Sequence, residues 1–290
     1  MSFRTVVITK QSSLSYKNRF LVVKQDMDEK YIHLSEIDTV VVDTPAVSVS
    51  AYLLKELSEN KINIIFCDEK HNPFGEMQSY YLSHNSPKKI MLQSKWDNET
   101  KNIIWEYIVK NKISNQILLL KKTKSKRYGL LEEYHRDVKA GDKTNREGHA
   151  AKVYFNELFG KQFVRHHEDA INAALNYGYA ILLSTFNKEV VSNGYITQLG
   201  LNHKSEFNEF NLSCDLMEPF RIVIDQFVYY NQPTELTHEY KMKLVNVLNE
   251  IYSFDGKKYT LKDVIRKFVK NIFSSIEEGV IYKEFNIYER

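Results

Sequence analysis

Cysteine is scarce: Cys67 and Cys214 are the only two, far apart and without a Cys-x-x-Cys pair. That excludes a disulfide framework and a cysteine-built zinc site, and it suits a reducing compartment. No stretch approaches the ~18 apolar residues that a membrane span needs. The segment Met1 to Lys10 has no long apolar run and no small-residue cleavage site, so no signal peptide is read there. Charge of one sign is missing too, with 40 basic residues against 37 acidic ones and a net +3. That balance does not argue for nucleic acid by itself, so any basic footprint must be local. Neither Gly-x-Gly-x-x-Gly nor a phosphate-loop Gly-Lys-Ser/Thr occurs, which removes a nucleotide-cofactor or ATP site. There is no internal repeat and no low-complexity segment. The expectation is a soluble, cytoplasmic protein.

Apolar residues are plentiful, at 43%, enough for real cores and too many for a disordered chain. The length of 290 residues suits two domains, at roughly 150 residues each. Thr5–Thr9, Phe20–Val23 and Tyr31–Leu34 are short β-rich runs. Ser15-Tyr16-Lys17-Asn18 and Asp26-Met27-Asp28-Glu29 between them read as turns. Ile37–Asp43, with its Val40-Val41-Val42 centre, predicts a strand covered on both faces. Val49, Leu53, Leu54 and Leu57 recur at helical spacing, and Ile62–Phe66 returns to strand. The polar stretch Ser83-His84-Asn85-Ser86-Pro87-Lys88-Lys89 reads as linker. From Trp96 the period is helical. Ile103, Ile104, Tyr107, Ile108, Ile113, Ile117 and Leu118 make one stripe, and Ala170–Val191, Lys241–Tyr252 and Leu261–Ile276 are further helices. Phe254-Asp255-Gly256-Lys257 is a turn, and Thr260 with Asp263 caps the last helix. The predicted fold class is α+β: a small N-terminal β-rich domain (1–84), a linker (85–95) and a larger all-helical catalytic domain (96–290).

Three polar clusters stand out in the helical part. In the first, Glu147 shares a helical face with Ala150, Ala151 and Tyr154, a stripe that normally points inward. An inward carboxylate needs a partner, and a metal ion is one; an ordinary acid favoured by a helix N-terminus is the plainer alternative. His149 points off that face. The second is Leu199-Gly200-Leu201-Asn202-His203-Lys204-Ser205, a loop between helices, where His203 is placed to bind a metal or exchange a proton, or is simply a surface histidine. In the third, Asp215 and Glu218 lie three apart, close enough on a helix to repel unless a cation lies between them. Pro219 puts the helix start a few residues earlier, so both acids also suit an N-terminal turn, and Arg221 is spaced to pair with Glu218. His166-His167-Glu168-Asp169 reads as a polar helix start before Ala170.

One imidazole among several carboxylates suits magnesium or manganese better than zinc. The matching chemistry is phosphodiester transfer. Lys121, Lys122, Lys124, Lys126 and Arg127 form a basic run shortly before Glu147, with Lys88 and Lys89 in reserve. Such a run tracks DNA phosphates or ends a helix in solvent; both fit.

Four stretches in register resemble the CRISPR adaptation integrases, the family of the first-numbered CRISPR-associated protein. They are Arg146-Glu147-Gly148-His149-Ala150-Ala151 with Tyr154-Phe155; Asn172-Ala173-Ala174-Leu175-Asn176-Tyr177-Gly178-Tyr179; Gly200-Leu201-Asn202-His203; and Asp215-Leu216-Met217-Glu218-Pro219-Phe220-Arg221. The resemblance covers essentially the whole chain and looks nearest the type II branch. It implies a homodimer, with the β-rich domain as the dimerising part, that joins a smaller second CRISPR adaptation protein. That complex inserts short double-stranded DNA fragments beside a CRISPR repeat. It further implies that Glu147, His203 and Glu218 are the catalytic residues and hold Mg or Mn. Glu218 stands where many relatives have Asp, and Asp215 assists. A general metal-dependent nuclease and a non-catalytic DNA-binding scaffold are the competing functions.

Overall fold

A computed structural model describes residues 4–79, 83–254 and 257–279. The first part runs β1 (Arg4–Ile8), β2 (Ser12–Lys17), β3 (Phe20–Gln25), β4 (Asp28–His33), β5 (Ile37–Val42), β6 (Val47–Val49), α1 (Ala51–Glu59), β7 (Asn63–Cys67) and β8 (Pro73–Glu76). They form two four-stranded sheets, ordered β1-β5-β7-β8 and β4-β3-β2-β6. The first is parallel except at β8.

All six residues of β5 are buried, as the apolar centre predicts, and the alternation explains why. Val40 and Val42 face a small core with Leu53 and Leu57 of α1, while Val41 faces the other way into the large helical core. Two expected turns shrink. The β2–β3 turn is only Asn18-Arg19, both in the left-handed region, so Ser15, Tyr16 and Lys17 are strand. The next is Asp26-Met27, and Asp28 and Glu29 start β4. Ser and Lys imitate a turn in β2, but Ser12 and Leu14 are buried on alternate positions. Val49 ends β6 rather than opening the helix, which begins behind its N-cap Ser50.

The segment read as linker, 85–95, contains α2 (Ser86–Gln93), with Pro87 in the first turn, where its missing N–H is no loss. Gln93 is buried. Its side-chain amide donates to the carbonyls of Ile196 and Leu199 and accepts from the Ile196 N–H.

The remainder runs α3 (Asn98–Lys122), α4 (Tyr128–Asp137), α5 (Arg146–Phe159), α6 (Ala170–Ser192), α7 (Asn211–Met217), α8 (Arg221–Asn231), α9 (His238–Asn246), β9 (Ile251–Phe254), β10 (Lys257–Thr260) and α10 (Leu261–Glu278). The predicted all-helical region thus includes one hairpin, β9–β10, where Tyr252 pairs with Tyr259. Asp255 and Gly256 of the expected turn lie outside the described residues. Asp169 caps α6 by accepting from Asn172 N–H, and Thr260 caps α10 by accepting from Asp263 N–H, both as expected. α3 and α6 are buried on most sides and form the middle of the bundle. Ile103 of the expected stripe is the exception, 39% exposed. Helix α6 also packs on the parallel sheet: Lys188 meets Asp38 at 2.8 Å and Asn63 donates to Ser184 at 2.8 Å. No helix among the described residues is long and apolar enough to cross a membrane.

Candidate active site

The start of α5 is held by side chains. Asp142 accepts from the N–H groups of Arg146 and Glu147, and Asn145, itself left-handed, accepts from Gly148 N–H. Glu147 is thereby fixed in the first turn, on the face that buries Ala150 and Tyr154. Its Oε1 lies 2.6 Å from Nζ of Lys112 on α3. The same ammonium lies 2.6 Å from Oε2 of Glu218. Two acids from separate elements therefore converge on one largely buried cation.

Glu218 begins a single 3-10 turn that joins α7 to α8. Pro219 sits in the first positions of this turn, just before α8, so the helix start it marks is this joint rather than one a few residues earlier, and its carbonyl accepts from Asn115 of α3 at 2.9 Å. Asp215 and Glu218 have separate partners: the His203 loop for Asp215, and Lys112 with Arg221 for Glu218. Arg221 Nε donates to Glu218 Oε1 at 2.9 Å, and its guanidinium lies over the Tyr179 ring at 4.6 Å. This is the pair expected from spacing, but buried rather than at the surface: Glu218 is 5% exposed. Burial pushes the Glu218 carboxyl up, yet Arg221 and Lys112 outweigh it and hold the group well below the usual range. Burial acts to lower Lys112, and Glu218 and Glu147 override it, so the ammonium stays charged.

Asp215 serves the loop. Fully buried, it accepts from Leu201 N–H and Asn202 N–H through Oδ2, and from His203 N–H through Oδ1, which also meets His203 Nδ1 at 2.5 Å. Both oxygens are thus engaged within the protein. Gly200 makes the tight turn possible, since a Cβ there would lie 2.5 Å from the His203 carbonyl oxygen. The imidazole stands edge-on to Trp105, ring centroids 5.9 Å apart. Its pKa is raised, first by the hydrogen bond to Asp215, with burial opposing and Glu218 and Glu147 adding their charge. With Nδ1 taken, Nε2 is the ligating atom the ring presents. A cleft of about 520 Å³ opens beside it, lined by Gln93, Lys101, Gly200, His203, Lys204 and Asn208. Two carboxylates and one oriented imidazole are donor types that suit a hard divalent ion; in this arrangement the carboxylates are held by Lys112 and are not gathered with the imidazole within 4.8 Å of one another.

A family model described as CRISPR associated protein Cas1 matches residues 5–239. The chain belongs to the Cas1 family. A Cas1 relative, the CRISPR-associated endonuclease Cas1 of Neisseria meningitidis serogroup C (strain 8013), is 33% identical over 292 residues, spanning 98% of this chain and 94% of that one. Among solved structures, a casposase bound to integration product matches with a TM-score of 0.78 at 18% identity, covering 100% of this chain and 96% of that one. A Cas6-RT-Cas1–Cas2 complex matches at 0.77 and 21% identity, covering 99% of this chain and 36% of that one. At such identities the likeness is one of fold.

In this Cas1 chain Glu147, His203, Asp215 and Glu218, each expected from the sequence, come to one region, and Lys112, which was not expected, lies among them. The available signal is that Trp105, Ile108 and Lys112 share a helical face, so a lone cation points inward among apolar residues. The basic run lies farther out, at the exposed end of α3 and the turn to α4, roughly 14 Å along the helix from Lys112 to Lys121. Lys121 pairs with Glu132 at 2.7 Å and Arg127 approaches Glu157 at 3.7 Å, so part of its charge is already matched. Lys124 and Lys126 are exposed, and Lys122 carries a contact of its own. Lys89 is tied to Glu277.

Proposed function

We propose that the chain is a CRISPR spacer-acquisition integrase with metal-dependent DNA endonuclease activity. The 3′-hydroxyl of a short double-stranded fragment attacks a phosphodiester beside a CRISPR repeat, and the new P–O bond forms as the old one breaks and releases the displaced strand's hydroxyl. The observation that carries this is the convergence of Glu147 and Glu218 on one buried cation, next to an imidazole oriented by a buried aspartate. Magnesium or manganese, held by Glu147, His203 and Glu218, would supply Lewis acidity and lower the pKa of the attacking hydroxyl. Asp215 is a positioning residue that fixes the His203 ring so that Nε2 faces the site. Arg221 keeps Glu218 ionised, and Lys112 adds positive charge where a phosphate's charge develops. Lys121, Lys122, Lys124, Lys126 and Arg127 give the DNA backbone a basic track. The relative named an endonuclease supports the cleaving activity, and the casposase bound to integration product and the Cas6-RT-Cas1–Cas2 complex support the joining activity and a small Cas2 partner. A homodimer through residues 1–84, a helical catalytic domain over 96–290, a cytoplasmic location and a type II setting complete the proposal; the Neisseria relative supports the last.

The test is strand transfer of a labelled fragment into a repeat-containing duplex with manganese. Glu147→Ala should abolish joined product while circular dichroism and oligomer mass stay unchanged; undiminished joining would sink the site. Cutting of any duplex without joining identifies a general nuclease instead. DNA binding with neither metal uptake nor turnover identifies a scaffold.

A further inference from the structure

A second group of metal-binding side chains lies where the parallel sheet meets α9, away from Glu147, His203 and Glu218. Asp43 directly follows β5, His71 sits in the β7–β8 connection, and His238 is the first residue of α9. One ligand atom from each lies within 4.8 Å of the others. Asp43 is wholly buried, yet neither of its carboxylate oxygens has a hydrogen-bond partner among the described residues. Nδ1 of His71 and Nδ1 of His238 each stand 3.0 Å from the same oxygen, Oδ2, without the geometry of a hydrogen bond. Leaving a buried carboxylate in that state is costly. Two ligands of a tetrahedral zinc, each bound at ~2.0 Å, lie about 3.3 Å apart, so the separations are close to one edge of such a site.

The three residues are well anchored. The Asp68 carboxylate accepts from Lys70 N–H at 2.9 Å and Asn72 N–H at 2.8 Å, and the loop carries His71 into the left-handed region at φ 61°. Lys241 of α9 donates to the carbonyls of Lys70 and His71, bracing the loop from the helix side. His238 follows Thr237, whose hydroxyl caps α9. Both imidazoles are partly exposed, 39% and 45%, so an ion can enter from solvent.

We infer that Asp43, His71 and His238 form a second metal site, of the zinc class, that fastens the parallel sheet to α9. Two imidazoles and one carboxylate select a borderline transition ion, whereas the oxygen-rich set around Glu218 selects a hard one. The fourth position is left to water. Cys67 is near, but its sulfur does not join the three ligand atoms in the group. Lys241 is the opposing charge, and its ammonium is engaged by the carbonyls of Lys70 and His71. Nδ1 of His71 donates to the Asp43 main-chain oxygen at 2.5 Å, and zinc would displace that proton.

The experiment uses the tag-free full chain, stripped with chelator and dialysed against tens of micromolar zinc with millimolar magnesium. One zinc per chain is expected in the wild type and in His203→Ala, and none in His71→Ala/His238→Ala. His238→Gln, at an exposed helix start, provides a variant with little risk to folding and should also lose the zinc. Cobalt should give tetrahedral visible bands in the wild type that vanish in His238→Gln. Zinc should raise the melting temperature of the wild type and leave that of His238→Gln unchanged. No zinc in the wild type, equal zinc in His238→Gln, or loss of zinc only in His203→Ala would each overturn the inference.

Discussion

Lys112 stands between Glu147 and Glu218 as a cation that the chain itself supplies. Lys112→Met leaves two acids facing each other and should cost roughly 3 kcal/mol in metal-free buffer, the scale of breaking a buried pair. Manganese should restore more stability to this variant than it adds to the wild type. Urea denaturation with and without the ion measures the difference, and equal gains would mean the acids do not share an ion. Asp215→Asn keeps the side chain's size but replaces an acceptor facing the Leu201, Asn202 and His203 N–H groups. Strand transfer should fall about 10–100-fold, as for other partners that orient a metal-binding histidine, and full activity would contradict the positioning role. The acids and the histidine were visible in the sequence because their types and order match a family. Lys112 was not, because a single lysine in a long helix looks like any solvated one until the facing elements are known. The roles of Asp215 and Glu218 were hidden for a related reason: their partners lie on other elements, the His203 loop for Asp215 and, over a hundred residues earlier, Lys112 of α3 for Glu218.

Among the elements, α6 and β5 were legible because each carries a strong period or an unbroken apolar run over its whole length. β2 was not, since its serines and lysine suit a turn as well as an exposed strand face. α2 was masked by Pro87, which breaks helices in their interior but is harmless in a first turn. The β9–β10 hairpin was masked by apolar spacing that runs on past the end of α9. Gly178 on α6 shows a constraint that only packing reveals: a Cβ there would lie 2.5 Å from Cγ2 of Ile224 on α8. Gly178→Ala should therefore cost about 1–3 kcal/mol by overpacking, despite alanine's better helix propensity. A lower urea midpoint with an unchanged slope is the expected result, and a raised midpoint would show that the two helices separate easily.

For the whole molecule, Asp38 joins the parallel sheet to the bundle, with Lys188 of α6 at 2.8 Å and Lys262 of α10 at 3.5 Å. Burial raises its carboxyl, but Lys188 and Lys262 prevail and hold it below the ordinary value. A carboxylate depressed in the folded state stabilises above its unfolded pKa, and that contribution is lost as pH falls through the folded value. Asp38→Asn should thus cost about 3–5 kcal/mol at neutral pH, and the gap from wild type should close as the solution is acidified below about pH 4. Denaturation series at pH 7 and in that acid range test this; a gap independent of pH would mean the charge is not what joins the two parts. Gln93 makes a different link. Its amide is shared between the connecting helix and the strip of chain that leads into the His203 loop. The imidazole's position is therefore inherited from the middle of the chain, and whatever pulls α2 from outside reaches His203 without touching it.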